Sequence, residues 1–319
     1  MPDVLAFGLD GHGGATPIEL HDAETCAAIG FRWLHLHHNP PETESQLKRC
    51  GLDPLVVEAL VAEETRPRCT VHGSGAVINL RGVNLSPGAD PEDMVSVRLW
   101  VEEGRVIGVW RRPLMAVADL VEAIKRQHAP TSPGDLVAKL ALRLADRAEP
   151  TVAELNERVD GLEEQALGDS AKLSRSELAD IRRTAIVLRR YMVPQRDALT
   201  TLEIEDLGWL ADRDRARLRE AAERVTRLGE DLDAIRDRSQ VVHDQMMDQR
   251  AEQMNRNMLV LSVVAAIFLP LGLLTGLLGI NVGGIPGTNY SGSFAIVCGL
   301  LVAIVLLQLW LFRRFGIIR

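Results

Sequence analysis

Residues Met258 to Asn281, MLVLSVVAAIFLPLGLLTGLLGIN, carry no charged side chain. A helix that crosses a bilayer core needs about 20 such residues, each adding about 1.5 Å. A second apolar run, Phe294 to Phe312, follows after a short, Gly-rich, uncharged link, Val282 to Ser293. Two spans this close form a hairpin, so the chain before Met258 and the chain after Phe312 are expected on one side of a membrane. Arg250 and Arg256 precede the first span, Arg313, Arg314 and Arg319 follow the second, and the link has neither Lys nor Arg. That asymmetry puts both termini in the cytoplasm. The opening residues, MPDVLAFGLDGHGG, lack the basic segment and apolar core of a signal peptide, so insertion is expected to depend on the two C-terminal spans.

The pattern before the spans changes once. Up to about residue 112 it is mixed: Val4–Leu9, Phe31–His37, Thr70–Leu80, Met94–Val101 and Arg105–Trp110 read as strands, Thr43–Cys50 and Pro54–Glu63 as short helices. From Pro113 the signal is helical. Leu114–His128 is one helix. Ser132-Pro133 caps and opens the next, expected to run to about Ala148, with Thr151 as the cap of another. Pro194 is expected to kink or end the run Leu178, Ile181, Ala185, Leu188 and Met192. From about Leu207, the positions Leu218, Ala221, Val225, Leu228, Leu232, Ile235, Val242 and Met246 keep a three-four spacing, broken once by Ser239. They form a coiled-coil seam on a helix expected to continue into the first span. The fold class is therefore α+β. The expected division is a cytoplasmic α/β domain over 1–150, a helical stalk over 151–257, a first span over 258–280, an outer loop over 281–293, a second span over 294–312 and a cytoplasmic tail over 313–319.

Charge and motifs exclude several functions. A net charge of −8 argues against nucleic acid as a partner. Cys26, Cys50, Cys69 and Cys298 show no paired spacing, and no CxxC motif is present. No nucleophile motif or paired-carboxylate arrangement suggests an enzyme, and no catalytic cofactor is implied.

One face of the first span does suggest a function. Met258, Leu261, Ala265, Leu269, Gly272, Gly276 and Gly279 share a helical face that turns to small residues and ends at Asn281. Small residues let helices approach closely, and Gly272 and Gly276 make a GxxxG step. The same face is a candidate pore wall. Copies gathered around an axis would bring Gly279 carbonyls, Ile280 and Asn281 amides into a ring able to hold a cation or its water shell. Continued inward, the face passes Asn255, Asp248 and Asp244, whose oxygens could form polar rings that attract cations. A single two-span hairpin encloses no hydrophilic path, so a pore requires self-association.

Gly279-Ile280-Asn281, preceded by AAIFLPLGLLTGLLGIN, resembles the GxN signature of the CorA-type two-span metal ion transporters. NVGGIPG, Asn281 to Gly287, resembles the ZntB zinc-transport branch more than the magnesium branch, which usually has Met between Gly and Asn. TRPRC (65–69), NLRGVNLSPGADPEDMVSVRLWV (79–101), RRPL (111–114) and RRYMVPQRDAL (189–199, with Tyr191, Pro194 and Arg196) are similar to that branch too. The resemblance implies a funnel-shaped homopentamer in the inner (plasma) membrane that moves divalent cations, zinc foremost. It implies a first span lining the pore and a second facing lipid. Gly279 and Asn281 would form the selectivity ring, with Met258 and Leu261 as an apolar constriction. The alternatives are a magnesium, cobalt or nickel transporter of the same family, and a membrane-anchored coiled-coil sensor or structural protein.

The zinc preference belongs to the resemblance rather than to the residues. Zinc favours His nitrogen and thiolate, whereas the outer mouth offers amide and backbone oxygens, which suit a cation that keeps its waters. His35 and His37 share a strand face and are candidate metal ligands, with His38 beside them and His72 as a third ligand on a neighbouring strand. His243, next to Asp244, is another candidate.

Overall fold

The computed structural model describes residues 4–19, 30–39, 41–63, 66–167, 175–280, 283, 285, 287 and 290–316. The chain divides into two compact units, Met1–His243 and Asp244–Arg319.

The first unit is built on a seven-stranded sheet: β1 (Val4–Leu9), β2 (Ala15–Pro17), β3 (Phe31–His37), β4 (Arg68–His72), β5 (Gly75–Gly82), β6 (Val95–Glu102) and β7 (Arg105–Trp110), in the order β2-β1-β3-β7-β6-β5-β4. Every neighbouring pair is antiparallel except β3 and β7, which run parallel, with His35 opposite Gly108 and His37 opposite Trp110. The expected strand over Thr70–Leu80 is in fact two, because Gly73 adopts a φ of 59° and turns the chain back. The indole Nε1 of Trp209 donates to the Ser74 carbonyl of that turn at 3.1 Å.

Two short helices, α1 (Glu42–Arg49) and α2 (Pro54–Val61), follow β3. Asp53 caps α2 by accepting from the Leu55 amide at 2.8 Å, and Pro54 opens it. Their apolar faces meet one side of the sheet in a core that includes Leu36, Leu47, Leu60, Trp100 and Val109. Two arginines close the far end of α2. Arg98 donates to the Leu60 and Glu63 carbonyls at 3.4 and 3.5 Å, and Arg111 to the Val61 carbonyl at 3.4 Å. Cations suit the carbonyl end of a helix. Burial, with the charges of Arg111 and Arg81, holds the Arg98 pKa down to about 10, so it stays charged at neutral pH.

Helix α3 (Met115–Lys125) leads to α4 (Pro133–Leu167), α5 (Arg175–Ile204) and α6 (Asp212–Leu278). Ser132 caps α4 as expected, its hydroxyl accepting from the Asp135 amide at 2.8 Å. The helix expected to end at about Ala148 runs on to Leu167 with Pro150 inside it, and Pro194 lies inside α5 without ending it. A proline inside a helix costs about 3 kcal/mol, and buried stripes on both sides of each proline offset it: Ala145, Ala148, Val152 and Leu155 in α4, Leu188, Met192, Ala198 and Leu199 in α5. Thr151 is thus a helix-interior residue and not a cap.

The seam from Leu218 to Val242 is buried within this one chain. In the first unit α4, α5 and α6 lie side by side. Arg238 of α6 reaches Asn156 and Glu163 of α4, each at 2.8 Å, and Arg189 of α5 meets Asp233 at 2.5 Å. Ser239, the polar break, is buried and donates its hydroxyl to the Ile235 carbonyl at 2.7 Å, so its one polar group is satisfied inside the seam.

Candidate functional site

The second unit holds the last part of α6 and α7 (Ser293–Arg314). Both helices are long and apolar enough to cross a membrane, and none of their most apolar windows is buried in the chain. A soluble core helix would be covered. Phe268, Leu269 and Phe294 are about two-thirds exposed or more, which water tolerates poorly over so large a patch.

Only one face of each span is partly covered. In α6 it runs through Val263, Ile267, Pro270 and Leu274, and in α7 through Val297, Leu301, Ile304, Gln308 and Leu311. Both follow the three-four spacing of a coiled-coil contact. At about 100° per residue, the face predicted to line a pore lies half a turn from the α6 contact face. Met258, Leu261, Ala265, Leu269, Gly272 and Gly276 are accordingly all exposed. A Cβ added at Gly272 or Gly276 would meet nothing within 4 Å. The hairpin therefore spends one side of α6 on α7 and leaves the opposite side open.

At the C-terminal end of α6, the Gly279 amide donates to the Thr275 and Gly276 carbonyls at 2.9 and 3.2 Å, and Ile280 follows the last turn, exposed. Asn281 lies outside the described residues. The return into α7 is held by Ser293, whose hydroxyl donates to the Gly287 carbonyl at 2.5 Å. Towards the other end, Asn255, Asp248 and Asp244 are exposed on α6.

His35 and His37 both pack against Trp110, whereas His72 and His243 lie on other elements. His35 is buried between Trp33 and Trp110, with ring centroids 5.7 and 6.3 Å away. Burial pushes its pKa down to about 3, so the ring is neutral at physiological pH. His37 packs edge-on against Trp110 at 4.6 Å. His38 faces Arg111, 3.1 Å from its Nε2. A guanidinium only donates, so that nitrogen accepts and carries no proton. Burial and the positive charges of Arg111 and Arg98 lower the His38 pKa accordingly. His72 sits on β4, with β7, β6 and β5 between it and β3, and pairs with Asp53 at 3.5 Å. It is not a third ligand for the β3 histidines. His243 lines a groove between α5 and α6 with Arg175, Arg182 and Ile186. Among the described residues, no three His, Cys, Asp or Glu side chains come together in a way that could hold a metal ion. What the second unit presents is an apolar face that gives way to small residues and backbone oxygen.

Sequence reasoning missed one contact. Gln308, the polar amide of α7, donates from Nε2 to the Ala266 carbonyl of α6 at 2.9 Å. The signal for it was a lone Gln in one apolar run and a lone Pro in the other.

Comparison with known proteins places this architecture. Residues 29–314 match the family model described as CorA-like Mg2+ transporter protein. The chain is 38% identical over 312 residues to "Zinc transport protein ZntB" of Pectobacterium carotovorum, covering 98% of this chain and 94% of that protein. It is 39% identical over 316 residues to "Divalent cation transporter CmaX" of Pseudomonas aeruginosa, covering 98% and 95%. The solved structure of full-length CmaX superposes with a TM-score of 0.86 at 36% identity, over 97% of this chain and 96% of that one.

Proposed function

The chain belongs to the CorA-like Mg2+ transporter family, and from that premise we propose that it carries divalent metal cations, zinc foremost, across the inner (plasma) membrane. It is a transporter and not an enzyme. The observation that carries the reading is the open face of α6, apolar at Met258 and Leu261 and small at Gly272 and Gly276, opposite the side taken by α7.

A path for ions needs several such faces around one axis. The reading is a homopentamer with a funnel-shaped cytoplasmic part. Both termini are cytoplasmic, and residues 281–293 form the outer loop. Asn281, Ile280 and the Gly279 carbonyl form the outer ring, Met258 and Leu261 the apolar throat, and Asn255, Asp248 and Asp244 the inner polar rings. Oxygen donors of this kind favour a cation that stays hydrated, so zinc passes with its waters. No catalytic cofactor takes part; the metal is cargo. Magnesium, cobalt and nickel are the competing cargoes.

The other reading, a coiled-coil sensor on a membrane anchor, needs a free seam. The seam residues Leu218, Leu232, Ile235 and Val242 are already buried within the chain's own bundle, which favours transport.

The test is metal uptake into sealed proteoliposomes with Zn2+, Mg2+, Co2+ and Ni2+ in separate arms, with and without a pH gradient. Zinc flux that disappears in Asn281→Ala is expected. Undiminished flux in that variant would remove the filter assignment, and no flux of any ion would remove the transport reading.

A further inference from the structure

In an α-helix each N–H donates to the carbonyl four residues earlier. Pro270 has no N–H, so the Ala266 carbonyl loses its own donor. In lipid no water replaces it, and an unpaired carbonyl costs several kcal/mol. Gln308 stands 2.9 Å away and donates to this oxygen. We infer that Gln308 positions the pore-facing helix by supplying the hydrogen bond that Pro270 removes, so that α7 sets where α6 bends.

The two sides of the proline differ in how they are held. Before it, α6 is hydrogen-bonded to α7 through Ala266. Beyond it, the contact is apolar and loose: Leu271, Leu301, Val302, Val305 and Leu306 line a groove of about 260 Å³. Beyond it too, the Thr275 hydroxyl donates back to the Leu271 and Gly272 carbonyls at 2.9 and 3.2 Å. Such back-bonding bends helices. The turn of α6 that ends at Ala266 is therefore tied to α7 by a hydrogen bond. The turns from Leu271 to Leu278, which carry Gly272 and Gly276, lie on the other side of Pro270. The second span is more than a lipid-facing anchor, because one of its side chains bonds the pore-facing helix beside its proline. Gln308 Oε1 is itself buried with no partner among the described residues. The amide is thus held in place by its donor side alone.

The inference rests on the transport reading only for its flux readout; its stability readout is independent. The experiment is a double-mutant cycle on the full-length chain, with Gln308→Met, Pro270→Ala and both together, measuring the unfolding midpoint in detergent and zinc flux in proteoliposomes. Pro270→Ala returns an N–H to Ala266. Gln308→Met is expected to lower the midpoint by a few degrees and the flux by about threefold, the size of one hydrogen bond between membrane helices. In the Pro270→Ala background the same change is expected to cost nothing in either readout. An equal loss in both backgrounds would overturn the proposal. If Gln308→Met does not yield folded protein, recovery of folded protein by adding Pro270→Ala supports the proposal equally, and no recovery overturns it. A cycle that couples in stability while the parent moves no ion would count against the transport reading and leave the role of Gln308 standing.

Discussion

Nδ1 of His35 occupies the space that a side chain on Gly108 would need, because β3 and β7 pair in parallel with these two residues opposite each other. The ring on one strand is accommodated by the missing Cβ on the next. Gly108→Ala forces that ring off its place between Trp33 and Trp110. A loss of about 1–3 kcal/mol is expected, as for overpacking elsewhere in protein cores, read as a lower urea midpoint with an unchanged slope.

His35 also makes stability depend on pH. Its pKa is about 3 when folded and about 6.5 when unfolded. Above pH ~6.5 both states are neutral and the residue contributes no slope. Below it the unfolded chain takes up a proton that the folded chain refuses. Stability therefore falls as the pH drops towards 3, by up to about 1.4 kcal/mol per unit from this group. His35→Leu should flatten the stability profile across that window. An unchanged profile would mean that the ring is not the responsible group.

The clasp at the start of α4 makes a third prediction. Asp135 is buried, with Lys139 at 2.8 Å, Arg217 in contact and the Thr131 amide donating at 2.9 Å. Hydrogen bonds from Lys139 and Thr131 hold its carboxyl below the usual range against the opposing effect of burial. Asp135→Ala leaves Arg217 without this carboxylate. A loss of about 3–5 kcal/mol is expected, checked by chemical unfolding in detergent.

Bundle and seam can be separated by concentration. Ile235→Ala removes a fully buried side chain and is expected to cost about 2–4 kcal/mol. Because the seam packs within one chain, the cost should not change over a hundredfold dilution. A cost that grows on dilution would instead mark the seam as an interface between copies.

Gly276→Leu tests the open face. It adds bulk where nothing lies within 4 Å in the single chain, so helix content by circular dichroism should be unchanged. If copies pack on that face, particle mass by light scattering falls and zinc flux is lost; full mass and full flux would show that the face meets lipid.

The strands were legible where apolar runs were bounded by clear turns: Val4–Leu9, Phe31–His37 and Arg105–Trp110 coincide with β1, β3 and β7. A single strand over Thr70–Leu80 overlooks the turn signal in His72-Gly73-Ser74-Gly75, where two glycines and a serine interrupt the apolar positions. The helix end expected near Ala148 and the one allowed at Pro194 are both overridden, since local propensity is a weak guide where a stripe is buried on both sides. The seam's spacing was visible, but spacing names a face and never its partner; that the partners are α4 and α5 follows from contacts such as Arg238 with Asn156. The same blindness hid Gln308, whose carbonyl partner lies 42 positions away. Of the candidate filter, Gly279 and Ile280 are described and Asn281 lies beyond the described residues.

The lone parallel pairing of β3 with β7 also governs the order of assembly. β1, β2 and β3 form one antiparallel group and β4 to β7 another, and the two join only where Arg32 to His37 lie alongside Arg105 to Trp110. While the residues between them are still being translated, β3 can pair with β1 on one side but has no partner strand on the other. The nascent chain must be shielded until its seventh strand emerges, and slowing translation just before Arg105 should lengthen that vulnerable interval.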